Sequence, residues 1–201
     1  MDFIIGVDEA GRGPLAGPVS VGVFKAPKNL KNKLIKILGG KIKDSKKLSP
    51  NQRYTIYRTL FELRKEKRVD FVVSHISNKV IDKIGISKAV QKGINLSLKK
   101  LDHTPTNNGS HCWYVRLDGL LKAPQEFKNQ KTIIKGDEKD IFIACASIVA
   151  KVERDQLMTK LAKKYPDYRF EIHKGYGTEK HRNLIKRFGL SPIHRKSFCK
   201  I

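Results

Sequence analysis

The feature that most constrains this chain is its opening run, Phe3-Ile4-Ile5-Gly6-Val7, which ends in the adjacent carboxylates Asp8 and Glu9. A short, uncharged run rich in branched side chains reads as a buried strand. Two acids at its end put negative charge at the rim of a sheet, where α/β proteins often keep their sites. Like charges this close cost free energy unless a cation neutralises them. The loop that follows, Ala10 to Pro18, holds three glycines and two prolines. A cap or a turn would explain either acid taken alone. Alternation sends successive strand residues to opposite faces, so both reach one metal only if the strand twists or ends there.

The rest of the chain supplies strands and helices to build around that run. Val19–Phe24 reads as the second arm of a hairpin, Val69–Ser74 as a third strand, and Cys112–Leu117 and Lys131–Lys135 as two more. Ser49-Pro50 has the form of an N-cap with proline at the first helical position. Tyr54, Tyr57, Leu60, Phe61 and Arg64 fit the helix that follows. Ser77–Leu101 reads as helix with a break at Gly85, Ile141–Tyr165 as a long helix, and Thr178–Arg187 as another. His103–Ser110 is a polar loop. Strands in a meander followed by strands alternating with helices predict an α/β protein, a central mixed sheet with helices packed on it. One domain over residues 1–201 is expected, with about 166–201 forming a small helical C-terminal lobe.

Charge narrows the function. The 201 residues carry 42 Lys and Arg against 19 Asp and Glu, a formal net charge of +23. These cations are spread along the chain and are not gathered in a tail, which favours a polyanionic partner, nucleic acid first. A solvated Lys-rich surface is the bland alternative, and the Lys28–Lys43 run carries no site on this ground. Cys112, Cys145 and Cys199 form no CxxC pair, so neither a zinc site nor a disulfide framework is expected. No apolar run is long enough to span a membrane, and the acids after Val7 argue against a secretory signal. A cytoplasmic protein that meets no membrane is expected.

With so few acids, their placement matters. Asp118-Gly119 closes the run Cys112–Leu117 as Asp8-Glu9 closes the first, although Asp-Gly alone is commonly just a turn. At about 100° per residue, Asp155 shares a helical sector with Cys145, Ile148, Val152, Thr159 and Ala162. That sector is mostly apolar and should face the sheet, and an unpaired carboxylate there is costly, so Asp155 needs a salt bridge or a catalytic role. Asp137 and Asp140 are rival acids, but their setting reads better as a loop capping the long helix. Asp8, Glu9, Asp118 and Asp155 together form a candidate carboxylate cluster. Hard oxygen donors without His or Cys suit magnesium or manganese, and two such ions can drive in-line phosphodiester hydrolysis. His173 and His181 read as structural hydrogen-bonders, and Trp113 as core.

On these residues the chain resembles the ribonuclease HII family. The resemblance rests on Ile5 to Pro18, Lys43 to Ser49, Ala146 to Asp155, His173 to Thr178 and Ser191 to Phe198, in the family's order and across nearly the whole chain. Cys145 departs mildly from the alanine of the pattern, and the Thr104–Ser110 loop bears no motif. The resemblance implies a ribonuclease H-like fold and an endonuclease that cuts the RNA strand of RNA–DNA hybrids. It also implies nicking 5′ of ribonucleotides embedded in duplex DNA, leaving 3′-hydroxyl and 5′-phosphate ends. It makes Asp8, Glu9, Asp118 and Asp155 the catalytic acids, with Asp8, Glu9 and Asp118 on Mn2+ or Mg2+. Gly11, Arg12, Gly13 and Tyr176 would sense the 2′-hydroxyl, which distinguishes RNA from DNA, and Lys46 would contact phosphate. A monomer is expected, and a sliding clamp is admitted as a partner without support from any motif. The rivals are a non-catalytic nucleic-acid-binding module, which leaves the acids unexplained, and a resolvase or integrase on the same fold. The Asp8–Gly13 and Lys174-Gly175-Tyr176 motifs argue against the second. An NTPase is excluded because no GxxxxGK[ST] loop is present.

Overall fold

The computed structural model describes residues 2–40, 48–102 and 113–199. Its centre is the opening run, strand β1 (Phe3–Ala10). Strands β2 (Val19–Pro27) and β3 (Asp70–Ile76) continue antiparallel on one side. On the other side β4 (Trp113–Asp118) and then β5 (Gln130–Ile133) run parallel to β1, giving the order β3-β2-β1-β4-β5. The mixed sheet expected from the strand pattern is present. Parallel pairing with Val7 opposite Leu117 brings Asp8 and Asp118 to the same end of the sheet.

Two helical layers cover the sheet. Helices α3 (Asn78–Ile84) and α4 (Ile86–Asp102) lie on the face of Ile5, Val7, Val21 and Val23, and Gly85 at φ 80° breaks them apart as the sequence predicts. The other face takes α6 (Ile141–Lys164), then α1 (Lys31–Ile37) and α2 (Pro50–Lys65) outside it, so α6 is buried between sheet and helices. Contact is close enough to require glycine: a Cβ on Gly6 would lie 2.0 Å from the carbonyl oxygen of Phe142. Asp140 caps α6 by accepting from the N–H groups of Phe142 and Ile143, and its carboxylate also pairs with Arg116 on β4. In front of it stands the single turn α5 (Gly136–Lys139).

Beyond α6, the turn α7 (Phe170–His173) packs Phe170 on Ala16, Met158 and Ala162, and helix α8 (Glu179–Phe188) sets His181 against the Phe170 ring. Trp113 is only partly buried, because its ring lies at the sheet edge under the Lys25 ammonium at 4.7 Å. Among the described residues no helix is long and apolar enough to cross a membrane.

Candidate active site

At the carboxyl ends of β1 and β4 a cleft of about 460 Å3 is lined by Asp8, Glu9, Asp118 and Asp137. Strand alternation turns Asp8 toward α6 and Glu9 toward α4. Asp8 is buried, accepts from the N–H of Glu9 at 2.7 Å and takes a hydrogen bond from the Ser147 hydroxyl. Burial pushes its carboxyl well above the usual range, and the charges of Glu9 and Asp118 push it the same way. Burial also raises Glu9, against the pull of Arg12, whose Nη1 lies 3.2 Å from Glu9 Oε1. Asp118 Oδ1 accepts from the Gly136 N–H at 2.6 Å, which sets Asp137 one residue farther along the same wall.

Asp155 stands apart from these acids, contrary to the reading of its helical sector. Cys145, Ile148 and Val152 are indeed buried, but the α6 residues that meet the strands are Phe142, Ala146 and Ala150, against Gly6 and Gly22. One turn past Val152 the chain of α2 has begun at Pro50, and Asp155 opens into a second groove with Pro50, Arg53 and Tyr54. There it pairs with Lys151 at 3.0 Å. Its neighbour Arg154 is the residue that is fully buried. Conversely, Asp137, read as a capping acid, lines the cleft while Asp140 does the capping. Strong helix signals around Asp140 masked its neighbour three residues earlier.

Arg12, Arg53 and Lys151 stand in the cleft wall with Gly11, Gly13 and Tyr176. Lys46 lies outside the described residues. The Gly11–Pro18 loop owes its shape to two arginines that are wholly buried. Arg195 donates Nε to the Gly17 carbonyl, Nη1 to Arg12 and Nη2 to Gly11, at 2.9, 2.9 and 2.7 Å. Arg154 donates Nε to Pro18 at 3.0 Å and Nη2 to Ala16 at 3.4 Å. Burial, with Arg154 nearby, pushes the Arg195 guanidinium down to about 9. Neither forms an ion pair among the described residues. No sequence pattern announced them, because arginine in a basic chain reads as surface.

Tyr176 is held from behind. The Gly175 carbonyl accepts from the N–H of Leu15 at 2.8 Å, which pins the Tyr176 loop to the glycine loop. The Tyr176 carbonyl meets His181 Nδ1 at 2.9 Å, His181 Nε2 meets His194 Nε2 at 3.0 Å, and His194 Nδ1 accepts from the Ser191 N–H at 2.8 Å. Since Ser191 N–H can only donate and the Tyr176 carbonyl only accept, both imidazoles are neutral, with His194 Nε2 donating to His181. His173 likewise bonds the Tyr168 carbonyl and accepts from the Gly175 N–H. Burial lowers all three, His181 and His194 to about 4.

The donor set suits a hard divalent cation: carboxylate oxygens alone, with burial and neighbouring charge disfavouring the charged forms of Asp8 and Glu9. As they stand, no three His, Cys, Asp or Glu side chains among the described residues converge to hold an ion, and Glu9 rests on Arg12. A carboxylate cleft at the strand ends of this mixed sheet, under a basic surface, defines a hydrolase of the ribonuclease H class.

The comparisons give the family. The profile of Ribonuclease HII matches residues 5–201. The ribonuclease HII of Ruminiclostridium cellulolyticum is 45% identical over 199 residues, 99% of this chain and 71% of the relative. That of Endomicrobium trichonymphae is 42% identical over 98% of this chain and 86% of its own. Among solved structures, ribonuclease H2 from Pyrococcus horikoshii superposes with a TM-score of 0.73 at 27% identity, covering 97% of this chain and 93% of that one. The chain belongs to the ribonuclease HII family, and is thus a metal-dependent endonuclease of RNA–DNA hybrids.

Proposed function

We propose that the enzyme nicks duplex DNA on the 5′ side of embedded ribonucleotides as well as cutting hybrids, leaving 3′-hydroxyl and 5′-phosphate ends. The observation that carries this reading is that four carboxylates share one cleft with the Gly11–Gly13 backbone and Tyr176. Cutting chemistry and the means to sense a 2′-hydroxyl are thereby adjacent. Asp8, Glu9, Asp118 and Asp137 are the catalytic acids of this proposal, Asp137 taking the place that the sequence assigned to Asp155. These acids would hold two magnesium or manganese ions, which supply charge neutralisation and an activated water for in-line displacement.

The chain's own groups do the rest. Arg53 and Lys151 offset the repulsion between these acids and a phosphodiester, and Lys46 adds a phosphate contact. Glycine at positions 11 and 13 lets the backbone approach the ribose, and the Tyr176 ring packs against the next sugar, where an added hydroxyl would clash. Past Lys151 the second groove continues along α6 with Lys160, Lys163 and Lys174 beside Tyr54, which is 47% exposed. From Lys151 to Lys163 the helix rises about 18 Å, the axial length of about five base pairs, so this track fits one strand leaving the cleft.

The test is a duplex with one ribonucleotide against its all-DNA counterpart, with magnesium or manganese and then with chelator. Metal-dependent nicking 5′ of the ribonucleotide alone is expected, and Asp8→Asn should bind without cutting. Equal cutting of both duplexes would sink the proposal.

A further inference from the structure

The Arg195 guanidinium is buried, yet what it holds faces the cleft. Its two terminal nitrogens take the carbonyl oxygens of consecutive residues, Gly11 and Arg12. In a planar trans peptide the C=O and the N–H of the same unit point in opposite directions. The oxygen of Gly11 shares its unit with the N–H of Arg12, and the oxygen of Arg12 with the N–H of Gly13. Drawing both oxygens inward therefore turns both N–H groups outward, on the side where Gly11, Arg12 and Gly13 line the acid cleft. Neither N–H donates to another group among the described residues. The next amides are already engaged, Leu15 and Ala16 on Gly175 and Gly17 on Ile193.

We propose that Arg195 is a positioning residue for substrate discrimination: its fork aims the Arg12 and Gly13 N–H groups into the cleft as a pair of donors for the 2′-hydroxyl. The inference rests on the reading of the site as a ribonucleotide sensor. Arginine is needed because the fork holds two neighbouring oxygens in one plane, whereas a lysine ammonium is a point donor. Phe198 packs on the guanidinium at 5.1 Å and fixes its plane from the other side. Arg154 is the internal comparison. It is as buried and clamps the same loop, but through Ala16 and Pro18, whose units aim no donor at the cleft.

The experiment compares Arg195→Lys with Arg154→Lys, each in an Asp8→Asn background so that nothing is cut. Affinity for a duplex with one ribonucleotide is divided by affinity for the all-DNA duplex. Arg195→Lys should lower that ratio about 10-fold, the value of roughly one hydrogen bond, while its all-DNA affinity stays within about 2-fold. Arg154→Lys should keep the ratio. A purely structural role lowers both affinities together through the unfolded fraction, so a folded Arg195→Lys with an unchanged ratio overturns the inference. Should Arg195→Lys not fold, the amide resonances of Arg12 and Gly13 in the Asp8→Asn protein decide. They must shift with the ribonucleotide duplex and not with all-DNA, and equal or absent shifts overturn the inference. If Asp8→Asn alone binds both duplexes equally, the sensor reading fails first and takes this inference with it.

Discussion

The N–H of Gly136 donates to Asp118 Oδ1 at 2.6 Å and so ties the end of β4 to the turn that carries Asp137. Two acids 19 positions apart thereby become neighbours on one wall, while Asp155, 18 positions farther on, is led away by α6. Exchanging each for its amide separates their roles. Asp118→Asn and Asp137→Asn should each lower kcat by about 100-fold or more, since a catalytic acid acts within a unit. Asp155→Asn breaks only a partly exposed pair with Lys151 and should stay within about 3-fold. Steady-state rates on a hybrid at saturating metal check this, and the reverse ranking would restore Asp155 to the centre.

Gly6→Ala should destabilise the fold. Its Cβ would press on the Phe142 carbonyl at 2.0 Å, backbone against backbone, so β1 and α6 must separate. A loss of about 3 kcal/mol is expected in urea unfolding. Gly13→Ala, with no atom within 4 Å of the added carbon, should change stability by less than about 0.5 kcal/mol.

Replacing Lys160 and Lys163 with glutamate reverses charge in the second groove, remote from the acids. KM on long hybrids should rise about 10-fold and the salt slope should flatten by about 2, one per lost phosphate contact. kcat should be retained, and hybrids too short to leave the cleft should be cut as before. Equal loss on short and long substrates would refute the strand track.

The histidine chain predicts acid lability. His181 and His194 titrate near 4 when folded, because burial disfavours the charged forms, against about 6.5 in an unfolded chain. The unfolded state thus binds protons first as pH falls. Their contribution to stability is complete above about pH 6.5 and is lost down to about pH 4, by a depression worth about 3 kcal/mol for one imidazole. A proton would also set two Nε2–H donors face to face, beside the ring of His173 stacked at 4.1 Å. Urea midpoints between pH 4.5 and 7 should fall more steeply for the parent than for His194→Gln. Parallel curves would remove the histidines from the account.

Legibility differed by the kind of information each element needed. The β1 strand, the Ser49 cap with Pro50, the break at Gly85 and the long α6 were readable, because each is set by side chains within a few residues. The Asp8-Glu9 pair was readable too, since contiguous acids at the end of an apolar strand have few structural uses. Asp137 was hidden by the capping signal of Asp140, and Asp155 was misplaced for a different reason. The helical wheel gives an angle but does not say which neighbour covers it, and α6 is covered on two sides. His173 and His181 are hydrogen-bonders as expected, but the bond of His181 to His194 was invisible because the two lie 13 residues apart.

By itself the sequence determined the local frame: which runs are strands, where the helices begin, and that acids stand at strand ends in a basic chain. Periodicity, capping and charge act over a few residues and need no partner. Tertiary structure alone decided which acids share the cleft, that Arg154 and Arg195 are interior, and which way the glycine-loop peptides face. Those outcomes depend on the parallel pairing of β1 with β4 and on contacts between segments as far apart as Gly11 and Arg195. Such contacts are fixed by packing and by the need of every buried polar group for a partner, wherever in the chain that partner lies.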